Sequence, residues 1–100
     1  MTEKLSHFDI VKQLADLPDW SLADGKLHRS LKFKDFVQAF AFMTAGALEA
    51  EKMNHHPDWS NSYSLVEIDL HSHDIGGISE RDFRLAKKLE SRAAVFLSGN

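Results

Sequence analysis

The chain has 100 residues, enough for one domain around one hydrophobic core but too few for two independent cores without disulfides or metals. Its 43% hydrophobic and 27% charged residues are typical of soluble globular proteins. The net charge of -3 disfavours direct binding to nucleic acid or anionic membranes, and the lack of cysteine excludes disulfides and thiolate metal sites. We expect a single domain over residues 1–100, located in the cytoplasm because no leader or membrane span is evident.

The first third of the chain predicts a short helix followed by a β-hairpin. Ser6 and Asp9 resemble an N-terminal capping box, and the helix they open ends before Pro18. Its apolar residues at helical spacing are Phe8, Ile10, Val11, Leu14 and Leu17. Asp24-Gly25 then separates two short runs of strand character, and this dipeptide is a strong signal for a tight hairpin turn.

A long helix is predicted from Asp35 to about Met53, and a second pair of strands follows it. The apolar residues that keep a helical period are Phe36, Val37, Phe40, Met43, Ala47 and Leu48, and we expect them to face the core. The helix should end before Pro57. Residues 59–62 and 65–73 then read as strands, the second with alternating apolar and polar faces.

A final helix is predicted to open at Ser79 to Asp82, after a glycine-containing loop. Its inward stripe comprises Phe83, Ala86, Leu89, Ala93 and Phe96 or Leu97. The element order αββαββα indicates an α+β fold in which a four-stranded antiparallel sheet carries three helices on one face.

The chemistry is concentrated in a cluster of histidines. Four of the six histidines fall between His55 and His73, around one predicted strand pair. His55 and His56 lie just past the central helix, where an irregular backbone could aim both rings into one cleft. Because histidine both donates and accepts protons near neutral pH, the cluster favours acid-base chemistry.

Glu51 stands four residues before His55 and continues the predicted inward stripe of the central helix. It could therefore hydrogen-bond a ring nitrogen of a nearby histidine and fix its tautomer. It could equally lie at a solvated helix end and pair with Lys52 or Arg81. The local pattern does not decide between these two interpretations.

A metal site is the less favoured interpretation of the histidines. His71 and His73 share a strand face and form a His-x-His pair, but adjacent His55 and His56 are awkward co-ligands. No neighbouring residue closes a convincing set of three or four ligands. Trp20, Trp59 and Tyr63 are expected to be packing residues by default.

The segment from Glu51 to Trp59, followed by Tyr63, His73 and residues 79–82, resembles the signature of the pterin-4a-carbinolamine dehydratases. The similarity extends upstream to Trp20, to residues 33–36 and to residues 41–44. It therefore covers nearly all of the chain beyond the first helix.

The resemblance implies a lyase that removes water from 4a-hydroxytetrahydropterin to give quinonoid dihydropterin, in the recycling of the pterin used by aromatic amino acid hydroxylases. It implies no metal or organic cofactor. It also implies a homo-oligomer, dimer or tetramer. In some members the domain additionally acts as a coactivator that binds the dimerisation segment of a transcription factor, for which Phe40, Met43 or Ala47 could supply an exposed apolar surface.

The resemblance also assigns roles to individual positions. His55 and His73 match general acids for the two faces of the 4a carbon, and His56 matches a catalytic histidine that binds and orients the ring. The implied substrate-binding residues are Asn54, His55, His56, His71, Ser72, His73 and Asp74, and the implied supporting residues are Glu51, Asp82, Arg81 and Trp20. The chain departs from the commonest pattern at Asn54, His71 and Asp74, where aspartate, a small hydroxyl residue and glutamate are usual.

Overall fold

A computed structural model describes residues 3–97, so the ends of the predicted domain at residues 1 and 100 lie outside the described part. The helices are α1 (His7–Leu14), α2 (Phe36–Met53) and α3 (Glu80–Leu97). The strands are β1 (Ser21–Ala23), β2 (Lys26–Lys32), β3 (Asp58–Ser62) and β4 (Leu65–Leu70), and a short 3-10 helix covers His73–Ile75. None of the helices in this part of the chain is both long and apolar enough to span a membrane.

The four strands form one antiparallel sheet in the order β1-β2-β4-β3, with helices on one face, as the sequence predicts. Two tight turns connect the strand pairs. Asp24 and Gly25, the predicted hairpin turn, both have positive φ, 54° and 75°, as in a type I′ turn. Tyr63 adopts a φ of 53° in the turn between β3 and β4.

Alternation along the two central strands separates a core face from a solvent face. The core-facing residues are fully or almost fully buried, and they are Leu27 and Leu31 of β2 with Val66, Ile68 and Leu70 of β4. Phe42 of α2 packs edge-on against Trp59 and contacts Phe33, which brings the helix onto this face. The opposite face of the sheet carries the polar residues of the same strands.

Helix α2 packs through a face different from the one its periodicity predicts. Phe36, Val37, Phe40 and Leu48 are 47–74% exposed, and Ala47 is exposed as well. The buried residues of the helix are Ala39, Phe42, Gly46, Glu49 and Ala50. Of the predicted inward stripe, Met43 packs against the core, whereas the other members were predicted wrongly. The helix is apolar on two sides, so spacing alone could not select the side that contacts α3.

Small residues let α2 approach α3 closely. A Cβ added at Gly46 would lie 2.8 Å from Cδ2 of Leu89 and 3.3 Å from the ring of Trp59. One turn further on, Glu49 accepts two hydrogen bonds from the guanidinium of Arg92, 2.9 and 2.6 Å long. These hydrogen bonds hold the pKa of Glu49 below its ordinary value.

A partly buried polar cluster joins the sheet to α3. Arg29 occupies a core-facing position of β2 and donates to both carboxylate oxygens of Glu90, each at 3.0 Å. Trp20 donates its indole N–H to the same carboxylate at 2.8 Å. Burial alone would raise the pKa of Glu90, but these hydrogen bonds and the charge of Arg29 outweigh it and lower the pKa.

Strand β4 is shorter than predicted, since it ends at Leu70 and not at His73. Beyond it, the backbone N–H of Ser72 donates to the carbonyl of Gly77 at 2.7 Å, and the chain enters the 3-10 turn. His71 and His73 therefore do not extend the ladder. The turn folds His73 back, so that the rings of His71 and His73 lie 3.9 Å apart between centroids.

Candidate active site

The C-terminus of α2 positions the first two histidines. Asn54 is left-handed, with φ 52° and ψ 41°, and this conformation is tolerated by asparagine better than by most residues. The N–H of Asn54 donates to the carbonyl of Glu51 and the N–H of His55 donates to that of Ala50, which together form a Schellman motif. The helix end thus reverses the chain immediately before His55 and His56.

His55 is held by a buried carboxylate. Its Nε2 lies 2.6 Å from Oδ1 of Asp82, and the two side chains are 9% and 0% exposed. Because a carboxylate only accepts, His55 must donate from Nε2. The remaining ring nitrogen, Nδ1, is therefore the one available for exchange of protons with a ligand.

Asp82 is itself fixed by the start of α3. Its Oδ2 accepts from the Ser79 backbone N–H and from the Ser72 hydroxyl, both at 2.9 Å. Oγ of Ser79 accepts from the N–H of Arg81 while Asp82 accepts from the N–H of Ser79, which is a variant of the capping box. The predicted cap of the last helix is thus also the support of His55.

His56 pairs with Glu51 across 2.9 Å between Nε2 and Oε1, on the solvent side. The histidine is 57% exposed and the glutamate 78% exposed. Glu51 therefore contacts a histidine, as expected if it supports the histidine cluster. It also lies at the solvated end of the helix, as expected under the alternative of a surface residue. The buried acidic residue of α2 is Glu49, which faces Arg92.

His73 joins His71 and Asp58 at the end of the strand pair. Oδ2 of Asp58 lies 3.5 Å from Nε2 of His73 and 3.8 Å from Nε2 of His71. Asp58 lies within the family motif, but no pattern in the sequence assigned it a role. Its proximity arises because it opens β3 opposite Asp69 of β4, two residues before His71.

These elements line an open cleft of about 320 Å³, at the lower end of the range for small-molecule sites. The lining residues are Asn54, His55, His56, Pro57, Asp58, His73, Asp74 and Arg81. Arg81 bonds Asp74 at 2.6 Å, and this hydrogen bond lowers the pKa of Asp74 against the opposing effect of desolvation. The cleft therefore combines three imidazoles with a charge pair at its edge.

Five predicted site residues do not line this cleft: Glu51 and Asp82, which pair with its histidines, and Ser72, His71 and Trp20. The side chain of Ser72 is fully buried and bonds Asp82 and Ser79, so it supports the site from behind. His71 is not a lining residue but contacts two residues that are, His73 and Asp58. Trp20, expected at the pocket edge, is buried against Glu90 instead, because its indole N–H finds its acceptor there.

The fold and the cleft define a class of protein: a small α+β domain with a histidine-lined site suited to proton transfer. The family model described as pterin 4 alpha carbinolamine dehydratase matches residues 3–92. The chain belongs to this family, as the sequence motifs indicate.

Relatives and a solved structure agree with this assignment. A protein of Solibacter usitatus, provisionally named a pterin-4-alpha-carbinolamine dehydratase, is 53% identical over 94% of this chain and 99% of its own length. A protein of Rhodospirillum rubrum with the same provisional name is 51% identical over 90% of this chain and 96% of its own. A crystal structure described as a transcriptional coactivator/pterin dehydratase from Brucella melitensis superposes with a TM-score of 0.88 and 40% identity, covering 91% of this chain and 99% of that one.

Proposed function

We propose that the protein dehydrates 4a-hydroxytetrahydropterin to quinonoid dihydropterin and water by histidine acid-base catalysis, in the recycling of the pterin used by aromatic amino acid hydroxylases. The observation that carries the proposal is the cleft in which His55, His56 and His73 converge, with His55 held by buried Asp82. Membership of the family supports the substrate class.

The reaction needs two proton transfers at neighbouring atoms. The C4a–O bond breaks, and the leaving hydroxyl gains a proton to become water. The lone pair of the adjacent ring nitrogen forms the C=N bond, and that nitrogen loses its proton. One proton is therefore delivered and one removed, so a group that exchanges protons near neutral pH serves both steps.

His55 is suited to deliver a proton through Nδ1. Since Nε2 donates to Asp82, the carboxylate fixes the ring orientation and stabilises the imidazolium when Nδ1 is protonated. When Nδ1 then gives its proton to the leaving oxygen, the ring returns to the neutral tautomer that Asp82 already favours. Asp82 is a positioning residue, because it touches His55 and lies fully buried.

His73 and His56 are assigned to the remaining tasks. His73 lines the same cleft as His55 and its side chain is 70% exposed, so its ring has room to reach a flat ligand. We assign it as the acid for the second stereoisomer. His56, tethered to Glu51, is assigned to bind and orient the pterin ring.

A direct assay tests the proposal. Freshly generated 4a-hydroxytetrahydropterin is followed by ultraviolet absorbance with and without protein, and we expect the protein to accelerate dehydration. His28→Ala is the matched control for histidine variants, because His28 lies on the open sheet face and is not among the residues lining the cleft. The proposal fails if the wild-type protein does not exceed the spontaneous rate.

A second candidate function is a protein-interaction role as a dimerisation cofactor or coactivator. The exposed apolar face of α2 supports it, as does the coactivator description of the Brucella structure. This face, made of Phe36, Val37, Phe40 and Leu48, is also our proposed contact for a homo-oligomer. Contiguous apolar surface of this kind is more often buried in an assembly than left in water.

Light scattering across a dilution series distinguishes these possibilities. We expect a dimer or tetramer for the wild type and a smaller mass for Phe40→Glu, because a charge on this face opposes its burial. A wild-type monomer at every concentration would count against the homo-oligomer. Retained binding of a transcription-factor dimerisation helix by His55→Ala would separate the interaction role from dehydration.

A further inference from the structure

Asp58, His71 and His73 converge on one point. Among residues 3–97, these three form a group of potential metal ligands, in which one ligand atom from each residue lies within 4.8 Å of the other two. The distances from Oδ2 of Asp58 to the two Nε2 atoms, 3.5 and 3.8 Å, exceed the 2.7–3.2 Å of an N–H···O hydrogen bond. The carboxylate thus faces both rings without a close hydrogen bond to either.

These separations suit a bound transition-metal ion. With bonds of about 2.0–2.1 Å and tetrahedral angles, the donor atoms around zinc lie roughly 3.3 Å apart. The two separations between Asp58 and the imidazoles differ from this by a few tenths of an ångström, and the ligand nitrogens of the two histidines lie within 4.8 Å of each other. The side chain of His71 is 16% exposed and anchors the group, whereas those of Asp58 and His73 are 53% and 70% exposed and have room to adjust.

The donor types are also appropriate. Two imidazole nitrogens and one carboxylate oxygen are ligands that zinc and neighbouring divalent ions accept, and three protein ligands leave a position open to solvent. We propose that Asp58, His71 and His73 bind a divalent ion of the zinc class, and that the bound ion inhibits dehydration by occupying the Nε2 atom of His73. The binding site stands on geometry alone, while the inhibition rests on the proposed function.

His28 provides a matched control on the same sheet face. It too lies near two carboxylates, with Nδ1 2.9 Å from Asp69 and Nε2 3.6 Å from Glu67. Because the two carboxylates face opposite nitrogens of one ring, they cannot surround one ion together with it. Loss of His28 therefore tests for unspecific binding to surface histidines and carboxylates.

Calorimetric titration of zinc chloride into the untagged full chain, in a non-chelating buffer, tests the site. We expect saturable binding of one ion per chain, weakened by roughly tenfold or more in His71→Ala and in the isosteric Asp58→Asn, since each loses one of three protein ligands. His28→Ala should bind within about twofold of the wild type. Cobalt(II) should give the visible absorption of a low-coordinate ion in the wild type and in His28→Ala, but not in His71→Ala or Asp58→Asn.

Two results would overturn the site. One is the absence of saturable binding up to about 1 mM zinc, a threshold equal to a binding free energy of about 4 kcal/mol. The other is a loss of zinc affinity in His28→Ala as large as that in His71→Ala. The kinetic arm measures dehydration with and without zinc, and we expect inhibition that a chelator reverses. A protein that binds zinc but does not accelerate dehydration would refute the proposed function and leave the site intact. Acceleration without zinc binding would refute this inference alone.

Discussion

Replacing Asp82 with asparagine tests the proposed role of His55 most directly. Oδ2 of Asp82 accepts from two donors, the Ser72 hydroxyl and the Ser79 N–H, so the asparagine oxygen should take this position. Its amide nitrogen then faces Nε2 of His55 and must donate to it. The variant therefore moves the ring proton of His55 from Nε2 to Nδ1, and the imidazolium loses its negative partner.

The catalytic loss should be large and the structural loss small. Correctly placed acid-base groups contribute about 10²–10⁴ in rate. Because asparagine keeps the ring in place, we expect kcat to fall about tenfold to a hundredfold, equivalent to roughly 1.4–2.7 kcal/mol of transition-state stabilisation. KM should change little, since Asp82 is fully buried behind His55.

Measurements of folding stability distinguish a loss of catalysis at His55 from a general destabilisation of the protein. Asp82→Ala removes a fully buried acceptor of three hydrogen bonds, and breaking such a buried pair costs about 3–5 kcal/mol. Asp82→Asn retains the hydrogen-bonding shape, so its loss should be about 1–2 kcal/mol in urea unfolding. Asp35→Asn is the control, because Asp35 caps α2 and both residues are good caps.

The measurements are steady-state dehydration, urea unfolding, and nitrogen-15 NMR of the imidazole of His55, which distinguishes its tautomers. We expect the wild-type ring to carry its proton on Nε2 and the Asp82→Asn ring to carry it on Nδ1. A variant with the altered tautomer but kcat within about threefold of the wild type would refute the role assigned to His55. An unaltered tautomer would refute the hydrogen-bond assignment itself.

Four further outcomes are expected. His73→Ala should reduce the rate of dehydration by about tenfold or more. Its urea unfolding should match that of the wild type, because the side chain of His73 is exposed. Full activity of this variant would remove His73 from the catalytic residues. Exhaustive chelation should leave dehydration undiminished, and loss of activity restored by one added metal would contradict this. Gly46→Ala should destabilise the protein by about 1–2 kcal/mol, because the added Cβ would lie 2.8 Å from Cδ2 of Leu89. The better helix propensity of alanine offsets part of this loss. An unchanged midpoint of urea unfolding would show instead that Leu89 moves aside without cost. The folded-state pKa of Glu90 is below its ordinary value of 4.5, so the stability that Glu90 contributes is complete above about that pH and is lost as the pH falls through the folded pKa. The free energies of urea unfolding of the wild type and of Glu90→Gln should therefore converge on acidification. A difference between these free energies that grew on acidification would contradict the ion pair with Arg29.

The sequence was sufficient for the elements whose signals are local. The Asp24-Gly25 turn and the caps at Ser6 and Ser79 appear where predicted, because turn and cap preferences depend on a few adjacent residues. The order of elements and the antiparallel sheet followed from these signals. The motif around His55 and His56 was likewise sufficient for the family.

The sequence by itself could not orient α2 or complete the site. Two apolar faces compete on that helix, and only packing against α3 showed that Gly46 is buried while Phe40 is exposed. Strand pairing brings Asp58 to His71, and the turn after β4 brings His73 to both. Such contacts depend on strand register and on how the chain reverses after β4. Which histidines form the cluster could therefore be seen in the local sequence, whereas the residues that contact them were decided by the tertiary structure.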